Sequence, residues 1–307
     1  MSLRNSLLIL LLSCTAATAC NEQRAAGPDP DPEDPENPEN PVEPAVLIGA
    51  GDIANCSRTA DENTASMLDG MEGIIFTAGD NLNDEGGGAT YMDCYEPSWG
   101  RHLDRTHAVI GNQDYELGPA DAYFSYFGEA AGPSTDAFYS FDAGAWHIVV
   151  LNSNPSFVPT AAGSPQEQWL REDLATNEAA CTMAIFHHPR FYHGPWGRNA
   201  DVLPFWNALY EAGADVVVNA HFQLYERHAR QTPQGDPDPE AGIRQFTVGT
   251  GGGGGPDVLH DPWPNTEVRD NTSFGVIKFT LEADSYSWQF IPVNEGGFTD
   301  SGSESCH

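Results

Sequence analysis

The chain has 307 residues, with 13 Lys and Arg against 45 Asp and Glu, and a formal net charge of −32 at pH 7. A surface with that field repels polyanions, which argues against nucleic acid as a partner. A small phosphate ester would need metal ions to approach it, and no segment beyond the first twenty residues is long and apolar enough to span a bilayer.

Residues 1–20, MSLRNSLLILLLSCTAATAC, carry Arg4, an apolar run at 7–12, and small residues up to Cys20. This reads as a secretory leader, too short for a membrane span. Ala17-Thr18-Ala19-Cys20 resembles a bacterial lipoprotein cleavage site, although Ala17 is smaller than the aliphatic residue usual there. The expectation is an exported, membrane-anchored lipoprotein that touches the membrane only through a lipid on Cys20. Ordinary cleavage after Ala19 would leave it periplasmic or extracellular. Residues 21–44 follow as a tether. Within them GPDPDPEDPENPENPVEP has a proline every two or three residues and almost nothing apolar to bury, so it stays extended and solvated.

Residues 45–295 are long enough for one large α/β domain, here expected as a monomer, and 296–307 read as a polar tail. Apolar runs with strand character lie at 45–48, 73–77, 108–110, 146–151, 182–186 and 215–218. Three more lie at 245–248, 275–281 and 286–291. Helical stretches at 61–71, 164–175 and 203–212 separate several of them. The second begins with Ser164, Pro165 and Glu167, a capping box with proline at the first helical position. Alternating strand and helix predicts α/β layers. The last three runs lack helices between them and predict an antiparallel portion. Export makes disulfides possible for Cys56, Cys94, Cys181 and Cys306. Cys56 and Cys94 each lie shortly after a strand end, so that pairing is favoured. Cys181 reads as a buried thiol and Cys306 as part of the tail.

Five runs end in polar residues. The sequence gives Gly51-Asp52, Gly79-Asp80-Asn81, Gly111-Asn112-Gln113-Asp114, His187-His188-Pro189 and Asn219-Ala220-His221-Phe222-Gln223. In an open α/β sheet, ligands bind at the carboxyl ends of strands. Two aspartates, an asparagine and two or three histidines there make a mixed oxygen and nitrogen site, suited to Mn, Fe, Zn or Mg. Paired ions clamp phosphate oxygens and acidify a water.

In this order the blocks resemble the calcineurin-like metallophosphoesterases, close to the purple acid phosphatases and their secreted bacterial branch. YEPSWGR at 95–101, YFSYFG at 123–128, SFDAGAWHIVVLNSN at 140–154, SPQEQWL at 164–170 and GADVVVNAH at 213–221 agree. The resemblance spans about residues 46–291. It implies a four-layer α/β/β/α sandwich, a small phosphate ester as substrate, and one or two divalent ions (Fe, Zn, Mn or Mg). It implies Asp52 on the first metal, Asp80 bridging both, and Asn112, His187 and His221 on the second. Asn112, Gln113 and His188 are the candidate catalytic residues, and Gln223 a candidate ligand of the first metal.

The sequence departs from the family pattern in one direction. Gln113 stands where that pattern has a proton-donating histidine, and Gln223 where it has a second metal-binding histidine. Asn83 and Ala54 occupy places that often hold tyrosine and histidine. Glutamine donates a hydrogen bond but is no general acid. Three readings follow: a hydrolase of impaired or altered activity, a catalytically inactive binding lipoprotein, or a structural or adhesive surface unit. His188 reaches substrate or simply precedes Pro189. His193 either lines the pocket and supplies the missing acid or sits on an exposed loop. Asp114 is expected to hold its turn, His147 to lie in a strand, and Tyr225-Glu226-Arg227 to form an internal ion pair. GTGGGGG at 249–255 lacks the Lys-Ser/Thr of a phosphate loop and is expected as a flexible rim loop.

Overall fold

The computed structural model describes residues 43–83, 90–116, 120–133, 135–192 and 197–307. The leader, Cys20, almost all of the tether and His193 lie outside the described residues.

In chain order the elements are β1 Ala45–Ala50, α1 Ala60–Leu68, β2 Ile74–Thr77, α2 Tyr91–Cys94, β3 Thr106–His107, α3 Gln113–Glu116, α4 Asp121–Phe127, β4 Tyr139–Ala143, β5 Trp146–Val150, α5 Pro165–Thr176 and β6 Cys181–Ile185. They continue with α6 Leu203–Glu211, β7 Val216–Asn219, β8 Tyr225–His228, β9 Arg244–Val248, β10 Thr266–Asp270, β11 Gly275–Leu281, β12 Ser285–Pro292 and β13 Asp300–Ser305. One sheet runs β13-β12-β11-β1-β2-β3 and the other β10-β8-β9-β7-β6-β5-β4.

The side-chain period of two explains the layering. Leu47, Phe76, Ile148, Val216 and Val218 point into a core between the two sheets. Their neighbours Ile48 and Ile75 point the other way, toward Leu68, Tyr95, Trp99 and Phe127 of one helical layer. Val149 and Val217 meet Leu170, Phe205, Trp206 and Leu209 of the other. Strands buried on both faces read as continuous apolar runs, such as the valines of β7. The result is the expected four-layer α/β/β/α sandwich. The parallel strands β1, β2 and β3 in one sheet, and β5, β6, β7 and β9 in the other, bring their carboxyl ends to one edge.

Four expectations need correction. The strand expected at 108–110 ends earlier, at His107; the next residues run on outside the ladder, with the Val109 N–H donating to Thr77 Oγ1 at 3.0 Å. The last three apolar runs do not form one portion: β9 joins the second sheet, while β11 and β12 extend the first beside β1. The tail at 296–307 contains β13, paired antiparallel with β12. Cys181 is no free thiol, because it is bridged to Cys306. The tail was misread because its inward side chains are carboxylates. Asp300 accepts from Tyr225 Oη, Arg227 Nε and Trp288 Nε1 at 2.7, 2.7 and 3.0 Å. Glu304 accepts from Arg230 Nε, Arg244 Nε and Tyr286 Oη at 3.0, 3.0 and 2.9 Å. The favoured Cys56–Cys94 bridge is present.

Candidate active site

Three parallel strands end in backbone that L residues rarely adopt. Asp52, Asp80 and His221 have φ of 54°, 51° and 71°; Ala137 is the one further non-glycine residue of positive φ among the described residues. Strain at such positions persists only where the surroundings hold it, and it gathers at functional sites. Here the turns hold one another. The N–H groups of Asp52 and Ile53 donate to the carbonyls of Gly79 and Asp80, each at 3.0 Å, and Gly51 N–H donates to Val248 O at 2.9 Å. Glycines in these and the neighbouring turn permit close approach. A β-carbon at Gly111 would collide with the Asp80 carboxylate, and one at Gly51 with Ala220.

The centre forms where the ends of β2, β6 and β7 meet the turn after β3. His187 Nδ1 lies 2.9 Å from Ala78 O, an acceptor, so that nitrogen carries the proton. Its Nε2 then faces Asp80 Oδ2 at 3.2 Å and Asn112 Oδ1 at 3.1 Å. His221 Nδ1 lies 3.0 Å from the same amide oxygen and 3.3 Å from His187 Nε2. With protons displaced from His187 Nε2 and His221 Nδ1, four lone-pair atoms converge: two imidazole nitrogens, an amide oxygen and a carboxylate oxygen. A proton can bridge only two of them at once. A divalent cation satisfies all four, and this donor set suits Fe, Zn or Mn. The residues fit a metal.

Charge in this pocket is correspondingly frustrated. Burial, then the Asp80 charge, pushes the Asp52 carboxyl up. The same two causes raise Asp114. Burial lowers His187, but Asp80 outweighs it and the net shift is upward, to about 9. Burial and the neighbouring His187 drive His221 down to about 4.

His188 joins the centre. One ring nitrogen of each of His187, His188 and His221 lies within 4.8 Å of the others. Its Nδ1 is 2.8 Å from Ser153 Oγ, which also accepts the His188 N–H at 3.0 Å. Burial, then the other two histidines, keeps it well below the usual imidazole range. Gln113 gives its N–H to Asp80 Oδ1 at 2.8 Å, and its buried Oε1 has no hydrogen-bond partner among the described residues. Asp114 holds the turn as expected, accepting from Gly111 N and Asn81 N at 2.7 and 3.0 Å and from Tyr91 Oη at 2.8 Å.

The other half of the site is built differently. Asp52 Oδ2 accepts the His221 N–H at 2.9 Å. The glycine run then packs over Asp52. Gly251 and Gly253 donate to the carbonyls of Gly51 and Asp52 at 2.9 and 2.7 Å. A β-carbon on Gly253 would press within 2.9 Å of Asp52 O and against the Asn83 amide, and one on Gly254 would overlap the Gln223 amide. Asp257 Oδ2 accepts the Gln223 N–H at 2.7 Å. The run expected as a flexible rim loop is thus a packed wall, with Gly249, Thr250 and Gly251 buried.

Sequence reasoning missed Ser153, Asp257 and the wall. Ser153 carried a usable signal: Asn152-Ser153-Asn154 is a polar run directly after an apolar strand, like the five blocks that were assigned. Arg227 makes the expected internal ion pair, and its partner is Asp300 of β13, which also accepts from Tyr225 Oη. His147 lies on β5 between Asp142 and Asp173, at 3.2 and 2.7 Å. A second cluster, Cys181, Asp215 and Cys306, offers no thiolate because its sulfurs are joined.

No protein-family model matches the chain. It is 27% identical over 226 residues to purple acid phosphatase 15 of Arabidopsis thaliana, covering 61% of this chain and 41% of that protein. It is 28% identical over 260 residues to purple acid phosphatase 22 of the same plant, covering 76% and 56%. The chain thus spans about half the length of the curated relatives it matches. Among solved structures, a purple acid phosphatase from yellow lupin (Lupinus luteus) seeds superposes with a TM-score of 0.62 at 15% identity, over 86% of this chain and 54% of that one.

Proposed function

Because the chain is a member of the calcineurin-like metallophosphoesterase superfamily, we propose that it is a metal-dependent phosphoric ester hydrolase of altered activity. The observation that carries this reading is the convergence of Asp80 Oδ2, Asn112 Oδ1, His187 Nε2 and His221 Nδ1.

Those four residues would hold one ion. Asp52 and Asp80, with the amides of Gln223 and Asn83, would hold a second. Their all-oxygen set favours harder ions such as Mg or Mn. Bound ions supply the positive charge that draws in a phosphate and makes a water acidic enough to attack it. The chain's own residues do the rest. The N–H of Gln113 fixes the Asp80 carboxylate, and the Ala78 carbonyl fixes the His187 tautomer. Gln113 can steady a leaving oxygen by hydrogen bonding but cannot protonate it. His188 is oriented through Nδ1 by Ser153 and, held neutral by burial and its two histidine neighbours, would offer the substrate a hydrogen bond from its other ring nitrogen. The substrate is a small phosphate ester. The protein is exported as a monomer, tethered by a lipid on Cys20.

Elemental analysis of desalted protein lacking residues 1–20 tests this reading. Two divalent equivalents with ester hydrolysis that Asp80→Asn removes support it. One equivalent or none after a metal soak, without turnover, overturns it. The amides at 83, 113 and 223 favour a second reading, an inactive phosphate-ester-binding lipoprotein. It predicts binding without hydrolysis, with turnover partly restored by Gln113→His plus Gln223→His.

A further inference from the structure

Among the described residues, the large apolar side chains left exposed are Met92, Phe157 and Val258. Phe157 differs from the other two in being built into place. Its ring lies parallel to Tyr115, with centroids 3.8 Å apart and planes 4° apart. One face covers the tyrosine. The side chain is nevertheless 57% exposed, so the other face meets solvent.

The loop that carries it is fastened on both sides of its exposed tip. The N–H groups of Phe157 and Val158 donate to Asn154 O at 3.0 Å. Asn154 N and Nδ2 donate to Asn152 Oδ1 at 3.1 and 2.9 Å. Asn152 exchanges two hydrogen bonds with the Gln166 side chain, at 2.7 and 3.0 Å, and its Nδ2 donates to Tyr115 Oη at 2.8 Å. The same loop touches the proposed centre through Ser153 Oγ, 2.8 Å from His188 Nδ1. Tyr115, the ring beneath, stands two residues after Gln113 on the same short helix. The aromatic pair is thus tied both to His188 and to the turn that binds Asp80.

The inner face of this ring covers Tyr115, and the outer face, held just as firmly, is left bare to solvent and adds nothing to the core. What it can do is stack. Aromatic pairs prefer offset parallel or edge-on contact, and a planar ligand needs little ordering to use it. On this acidic chain, such a contact adds selectivity without adding charge.

We infer that Phe157 selects phosphate esters whose alcohol part carries a planar ring, an aryl or nucleoside phosphate, by stacking on that ring. The inference rests on the hydrolase reading above. It makes Phe157 a substrate contact that grips the leaving group, while the phosphate sits at the histidines.

The test compares metal-loaded wild type with Phe157→Leu, which still covers Tyr115, and Phe157→Trp, which keeps a planar face. The ring-bearing probes are 4-nitrophenyl phosphate and AMP. The probes without a ring are glycerol 3-phosphate and ribose 5-phosphate. The expected result is a KM for the first two raised about 3- to 10-fold in Phe157→Leu, with kcat and both ringless esters unchanged. Phe157→Trp should keep the preference. A raised KM for only one of the two ring probes would identify which source of ring the site takes. Equal losses for all four esters would mean a structural role, and no change would mean no contact; either overturns the inference. If wild type hydrolyses no ester, the hydrolase reading fails separately, and calorimetry decides the ring contact. AMP binding tighter than ribose 5-phosphate, with the difference lost in Phe157→Leu, supports it; equal affinity or no binding overturns it.

Discussion

The two halves of the site are made of different materials. One half is side chain: His187, His221, Asn112 and Asp80 bring four lone-pair atoms together from separate strands. The other half is largely backbone: Asp52 sits under a glycine wall in which Gly253 and Gly254 pack against the amides of Asn83 and Gln223. Side-chain ligands leave a signature of residue type. A wall leaves only glycines, whose meaning depends on what lies across from them. The first half is thus specified by chemistry and the second by space.

The sharpest way to break the contrast is to remove the residue both halves share. Asp80→Ala should cost both ions and lower hydrolysis by about 10²–10³-fold or more, read by elemental analysis and initial rates. Supplying a proton donor comes next. Gln113→His should raise kcat up to about 10²-fold on esters with poor leaving groups, and hardly at all on activated aryl esters. An equal effect on both would show that protonation is not what the amide withholds.

Gly249→Ala attacks the wall alone. Its β-carbon would collide with Phe222 O and press to 2.8 Å of Asp52 Oδ2. Overpacking of this kind costs about 1–3 kcal/mol, visible as a lower midpoint in denaturant. One metal equivalent should be lost and one kept; loss of both would mean the halves are not independent. Gln223→His should do the reverse, shifting the oxygen-only half toward zinc, with a second zinc equivalent as the readout.

The smallest effect lies away from the centre. Burial lowers His147, but hydrogen bonds to Asp173 and Asp142 outweigh it, so its folded pKa is raised. Its contribution is full below the unfolded value near 6.5. It fades as pH rises through the folded value. The amount is about 1 kcal/mol, carried by the largely buried Asp173 partner rather than by exposed Asp142. Asp173→Asn should flatten that slope in urea titrations at stepped pH without touching metal content.

Much of this was legible in advance, for identifiable reasons. Strands covered on both faces are plain apolar runs, so β1, β2, β5, β6, β7 and β9 were found, while β11 and β12 showed through the apolar residues of their buried face. Asp52, Asp80 and His221 were found because each interrupts such a run at its end. β13 was not, because Asp300 and Glu304 point inward to arginines and aromatic hydroxyls where a hydrophobic pattern looks for apolar groups. β8 failed similarly: Tyr225 and Arg227 answer to residues some seventy positions away. The end of β3 was misplaced because residues 108–110 are as buried as any strand yet satisfy their hydrogen bonds through Thr77 Oγ1 and Ala130 O.

The first sheet places β11 between β1 and β12, so the opening strand of the domain is flanked on one side by residues made more than two hundred positions later. Loop closure over that distance is slow, and local contacts cannot substitute for it. β1 and β2 therefore wait with an open edge until residues 275–281 are available to pair. The core between the sheets cannot close before then. A chain truncated ahead of β11 should remain a folding intermediate with an exposed strand edge, prone to self-association rather than to partial function.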